Sequence, residues 1–148
     1  MRRFYFDHNA TTPISPEVLE VHSQLLVEIF GNASSIHHDG QAARRALDQA
    51  RANVAMLLGC DRKEVVFTSG GTESDNLAIQ GVMRRHSGAH MITTAIEHPA
   101  VLRTGDQLRR EGIEVTYVPV GASGRVHPDD IRRAIRSDTA LISVMHAN

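Results

Sequence analysis

From residue 64 onward, short runs rich in β-branched and aromatic residues alternate with longer segments whose apolar positions recur three and four apart. Residues 64–68, 90–95, 113–118 and 140–145 read as strands, and 72–85, 99–110 and 128–136 as the helices between them. This pattern leaves few options, because adjacent parallel strands need a crossover of a dozen or more residues and a helix supplies it. The alternation predicts βαβ units in an α/β fold, a mainly parallel sheet with helices on both faces.

Two further helices are expected upstream. Ser15, Pro16 and Glu17 combine an N-cap hydroxyl, a proline at the first helical position and an acid in the first turn, so a helix should run from there to about residue 30. Residues 32–38 are rich in Asn, Ser and His without periodicity and read as an irregular loop, the kind of segment that often carries function. Ala43, Ala46, Leu47, Ala50, Val54, Leu57 and Leu58 then mark an amphipathic helix from about residue 41, stopped by Gly59.

A chain of 148 residues with 41% hydrophobic content is long enough to bury the core of one domain. Its net charge of -1 provides no global field to hold nucleic acid or an anionic membrane surface. No run of about 18 apolar residues is present, so no spanning helix is expected. The first residues lack the apolar stretch of a secretory signal, and the lone cysteine, Cys60, has no internal disulfide partner; together these predict a soluble cytoplasmic protein. The last predicted strand ends at Met145, three residues before Asn148, which would leave an apolar edge open to pairing. A piece of a longer fold is the expectation.

In an open α/β sheet, ligands bind beyond the carboxyl ends of the strands, where loops and helix N-termini converge. Three polar stretches fall there and are expected to share one crevice: Ser69 to Glu73, the pair Glu97 and His98, and His146 to Asn148. Thr68 to Asn76 runs from a strand through Gly70 and Gly71 into a helix start with Thr72, an arrangement that offers free N–H groups and a hydroxyl to a phosphate. The same pattern also describes a tight strand-to-helix turn with a Ser or Thr cap. It is not a P-loop, since no lysine follows the second glycine, and no nucleophile-elbow spacing exists. His98, between Glu97 and Pro99, is placed to act as acid, base or stacking platform, or simply to line a turn. Nine histidines with one cysteine assemble no zinc spacing, and no metal is expected.

Four motifs in order carry a resemblance: FDHNATTPISPEV at residues 6–18, GNASSIH at 31–37, TSGGTESDNL at 68–77 and TAIEHPAVL at 94–102, with SVMHAN at 143–148. By these the chain resembles the N-terminal half of cysteine desulfurases, which belong to the class V aminotransferase group of fold type I pyridoxal 5'-phosphate (PLP) enzymes. The resemblance implies that residues 1–14 pack with a small domain or at the active-site mouth, and that 15–148 form the N-terminal part of the large PLP-binding domain. It implies that Gly71 and Thr72 hold the cofactor phosphate, and that His98 stacks on the pyridine ring and shuttles protons. Asn9, Thr11, His37 and Asn148 are expected near the site. The sequence departs mildly from the family at Gly71, where alanine or threonine is common, and at Ala33, where proline is usual.

PLP chemistry needs a lysine to anchor the cofactor and an aspartate beside its ring nitrogen. The only lysine, Lys63, lies in a charged turn of Asp61, Arg62, Lys63 and Glu64 at the amino end of a predicted strand, and reads as a solvated turn residue. The resemblance places the family's lysine, ring aspartate and persulfide-forming cysteine in the other half, so this chain is expected to be inactive alone. The complete enzyme would be a homodimer that converts L-cysteine to L-alanine and passes sulfur as a persulfide to an acceptor such as an iron-sulfur scaffold protein. The rivals are another PLP lyase or aminotransferase on the same scaffold, such as a selenocysteine lyase, a noncatalytic scaffold fragment, and a nucleotide-binding module, the last disfavoured by the missing P-loop lysine.

Overall fold

A computed structural model describes residues 4–86 and 88–147. The chain divides into two compact units, with the boundary between Phe67 and Thr68.

Among the described residues, the first unit holds two α-helices. Helix α1 (Pro16–Glu28) begins as the sequence dictates, with Ser15 Oγ accepting from the Val18 amide at 3.4 Å and proline in the first turn. None of its residues is buried, and Val18, Leu19, Leu25 and Leu26 are exposed. Helix α2 (His38–Leu58) starts three residues before the periodicity suggests. The reason is His37, whose Nδ1 accepts from the Gly40 amide at 3.3 Å and serves as the N-cap. The loop of residues 31–37 folds closely against this helix start: a Cβ on Gly40 would lie 2.5 Å from the Ser35 carbonyl oxygen, so only glycine fits. Gly59, at φ 68°, ends α2 in the left-handed conformation, and the Cys60 amide bonds back to the Ala55 carbonyl at 3.0 Å.

The strand expected over residues 64–68 does not form. Asp61 and Glu64 make a capping box that winds Arg62–Glu64 into one 3₁₀ turn, with the Asp61 carboxylate on the Lys63 amide and the Glu64 carboxylate on the Asp61 amide, both at 2.8 Å. Val65 is extended, residues 65–67 join no ladder, and the Val65 carbonyl accepts instead from Arg51 Nε at 3.3 Å. Their β-branched run satisfies the period of a strand, but a strand also needs a neighbour, and none of the described residues pairs with it. Lys63 is exposed in the 3₁₀ turn, the solvated position expected.

The second unit is the α/β structure. In chain order it comprises α3 (Gly71–Met83), β1 (His90–Thr94), α4 (Pro99–Arg110), β2 (Glu114–Val118), α5 (Pro128–Ala134) and β3 (Thr139–Ser143). The three strands form a parallel sheet in the order β2-β1-β3, with Met91 beside Val115 and Leu141. All five residues of β1 are buried, as a central parallel strand requires. Helices α3 and α4 close the core on this sheet through Ile79, Met83, Met91, Val101 and Leu108. Three of these, Met83, Met91 and Leu108, are fully buried, each worth about 1.5–3 kcal/mol in removed apolar surface. His90 sits at the start of β1 and reaches both neighbours, with Nδ1 2.9 Å from Thr139 Oγ1 and Nε2 2.8 Å from Thr116 Oγ1. No helix among the described residues is long and apolar enough to cross a membrane.

Candidate active site

The N-terminus of α3 differs from the other described helix starts. Ser15, His37, His98 and His127 each cap their helix with a side-chain acceptor, whereas α3 begins at Gly70, which offers none. The turn before it is pinned by its own polar groups. Glu73 reaches back to Ser69, accepting from its amide at 2.7 Å and its hydroxyl at 2.6 Å, and Thr68 Oγ1 lies 2.7 Å from Ser74 Oγ. The bond from the Ser69 hydroxyl, followed by that from its amide, holds the Glu73 carboxyl below its ordinary range. Among the described residues, no group accepts from the amides of Gly71 or Thr72, so the positive end of the helix keeps two free donors. Neither glycine is demanded by crowding within the chain, since a Cβ at 70 or 71 would meet nothing within 4 Å. Space is therefore left open on the backbone at the point where an anion would approach.

His98 stands at the head of α4. Its Nδ1 accepts from the Ala100 amide at 3.1 Å, which in the neutral ring assigns the proton to Nε2. Pro99 supplies the first helical position, with no N–H to satisfy. Thr72 and His98 line the same cleft, of about 350 Å³, with Asn76, Gln80, Arg103 and Thr104 around it.

Asn76 joins the two walls of this cleft. Its Nδ2 donates to the Thr72 carbonyl at 2.8 Å, and its Oδ1 accepts from Thr104 Oγ1 at 2.8 Å and from Gln80 Nε2 at 2.9 Å. Thr72, Asn76 and Gln80 fall at spacings of four on one face of α3, a polar stripe on a helix that packs against its neighbour. That spacing is the signal by which the lining residues were findable from sequence.

The expectation of a single crevice needs correction. Glu97 is buried, accepting at Oε1 from Thr94 Oγ1 at 2.7 Å and from the Met145 amide at 2.8 Å. His146 lines a second, smaller cleft of about 210 Å³ with Thr94, Arg125 and Met145. The loops after β1 and β3 therefore line two clefts, with Thr72 and His98 in one and Thr94 and His146 in the other. Asn148 lies outside the described residues. In the first unit, Asn9 and Thr11 are exposed in a turn closed by bonds from the Ala10 and Thr11 amides to the Asp7 carbonyl, and His37 is the cap of α2.

Comparison with known proteins gives a consistent result. The sequence profile of the aminotransferase class-V family matches residues 4–148. A protein named cysteine desulfurase IscS from Dictyoglomus turgidum is 50% identical over 149 aligned positions, covering 99% of this chain and 38% of that protein. Among solved structures, a NifS-like protein superposes with a TM-score of 0.92 at 40% identity, over 99% of this chain and 41% of the other. A structure described as SspA in complex with cysteine gives a TM-score of 0.89 at 40% identity, over 97% of this chain and 42% of that one. The chain thus spans about two fifths of the length of the relatives it matches.

Proposed function

Because the chain belongs to the aminotransferase class-V family, we propose that it supplies the phosphate cradle and the ring-stacking histidine of a PLP-dependent cysteine desulfurase. The observation that carries this reading is the shared cleft of Thr72 and His98 at the one described helix start without a side-chain cap. The donor set suits the group. Two backbone amides and the Thr72 hydroxyl, at the positive end of α3, match a phosphate dianion, and the open backbone at Gly70 and Gly71 admits it. When bound, PLP supplies an electron sink for bonds at the α-carbon of an amino acid.

The chain's own residues perform binding, orientation and proton handling. Gly71 and Thr72 fix the phosphate end, while Asn76 holds the first turn of α3 to α4 through the Thr72 carbonyl and Thr104. His98 offers its ring as a stacking surface. Because Nδ1 is engaged by the Ala100 amide, Nε2 is the nitrogen through which a proton passes to or from the substrate. The reaction assigned is conversion of L-cysteine to L-alanine, with sulfur leaving as a persulfide to an acceptor such as an iron-sulfur scaffold protein. We read the whole enzyme as a cytoplasmic homodimer in which residues 1–14, with Asn9 and Thr11, and the loop ending at His37 border the active-site mouth. Residues 15–148 then belong to its large PLP-binding domain. The family motifs assign the anchoring lysine to a part of the enzyme outside residues 1–148, and Lys63 is read as a solvated turn residue, exposed in its 3₁₀ turn.

Equilibrium dialysis of the chain against PLP and against pyridoxal, which lacks the phosphate, tests the reading. Tighter retention of PLP, lost by about tenfold in Thr72→Ala, is expected from removal of one charge-assisted hydrogen bond. Equal retention of both compounds, or a Thr72→Ala variant that binds PLP unchanged, overturns it.

A further inference from the structure

Glu97 is a carboxylate, 5% exposed, that the cofactor reading leaves unused although it adjoins His98. A buried carboxylate is retained at a cost unless its hydrogen bonds compensate. Both bonds converge on Oε1, from the Thr94 hydroxyl at the end of β1 and from the Met145 amide in the segment that leaves β3. On the other side of the same turn, the Ala95 amide donates to the Val118 carbonyl at the end of β2, at 3.0 Å. The link from β1 to α4 is therefore tied to both flanking strands, and Glu97 is the tie to β3. His98 follows it directly and caps α4.

We propose that Glu97 is a positioning residue, a latch that holds the turn bearing His98 against the segment following β3 and so keeps the imidazole at the Thr72 cleft. The functional weight of the latch rests on the reading of His98 as the ring-stacking group. The latch itself is a matter of geometry. Glu97→Gln keeps an oxygen acceptor where Oε1 stands and puts an amide NH2 in place of Oε2, whereas Glu97→Ala removes the acceptor.

Backbone amide exchange at Ala100 and the ring ¹⁵N shifts of His98, measured by NMR on the 148-residue chain, decide it. Glu97→Ala removes both bonds to Oε1 and should speed exchange of the Ala100 amide by about fivefold or more. The His98 nitrogens should move toward the shifts of a ring with mixed tautomers. Glu97→Gln should stay within about twofold of the parent. If Glu97→Ala does not fold, Thr94→Val, which deletes one of the two donors, should give a smaller shift of the same sign at both probes. The proposal is overturned if a folded Glu97→Ala leaves Ala100 and His98 unchanged, if Thr94→Val does so, or if Glu97→Gln disturbs them as much as alanine does. PLP titration of the parent chain fails separately: no phosphate-dependent binding would sink the cofactor reading while leaving the latch measurable.

Discussion

The tie between the walls of the cleft gives a quantitative expectation. Thr104 is 4% exposed, and its single hydroxyl proton is shared between Asn76 Oδ1 at 2.8 Å and the Ala100 carbonyl at 2.7 Å. Thr104→Val removes that donor from a buried position and should cost about 1 kcal/mol. Asn76→Ala removes three bonds, but Gln80 and the Thr72 carbonyl regain water, and Thr104 retains Ala100 as an acceptor, so its cost should also be about 1–2 kcal/mol. If the two side chains act on one another, the double variant should cost less than the sum, with a coupling of about 0.5–1.5 kcal/mol. Urea unfolding of the four proteins, analysed by linear extrapolation at unchanged slope, supplies the cycle. Additivity within about 0.3 kcal/mol would show that Asn76 and Thr104 do not hold α3 to α4, and would remove the structural basis for a preformed cleft.

Two other outcomes follow from the second unit. His90 is held below its ordinary value of 6.5, by burial first and by Arg136 second, so on acidification the unfolded chain takes up the proton before the folded one. Stability is therefore complete above about pH 6.5 and falls as the pH drops through the lowered folded value, with a slope of at most about 1.4 kcal/mol per pH unit from this group; a His90→Gln variant whose acid limb matches the parent's in urea titrations would exclude it. Gly105→Ala places a Cβ 2.5 Å from Tyr117 Oη, and the ring must swing away from Asp106, to which it donates at 2.8 Å. Burial and the Asp106 bond push the Tyr117 phenol up to about 12, so ultraviolet titration of the variant should bring it back toward 10, with a net loss of about 1 kcal/mol once the gain in helix propensity is subtracted. A phenol unmoved in a more stable variant contradicts this.

How far residues announced these features depends on where the determining force lies. The bounds 99–110 of α4 agree with expectation because the signals are local: proline at the first position, arginines in the last turn and Gly112 after it. The start of α2 is not legible in the sequence because imidazole is not among the usual capping groups, and here His37, His98 and His127 all cap with Nδ1. The failed strand at residues 64–68 shows the opposite limit: a period of two records what a segment can do, and pairing depends on a partner elsewhere. Gly71, Thr72 and His98 were legible as candidates from the turn chemistry and the family motifs. The bonding roles of Asn76 and Glu97 are not legible in the sequence, because they lie in contacts to Thr104 and Met145, 28 and 48 residues away.

The most direct test of the central claim is a residue-resolved titration of the ¹⁵N-labelled chain with PLP. The account predicts that the Gly71 and Thr72 amides and the His98 ring shift together with one dissociation constant, and that inorganic phosphate moves the two amides without the ring. Shifts confined to the first unit, around Lys63 for example, or a His98 ring indifferent to PLP while the amides respond, would contradict it.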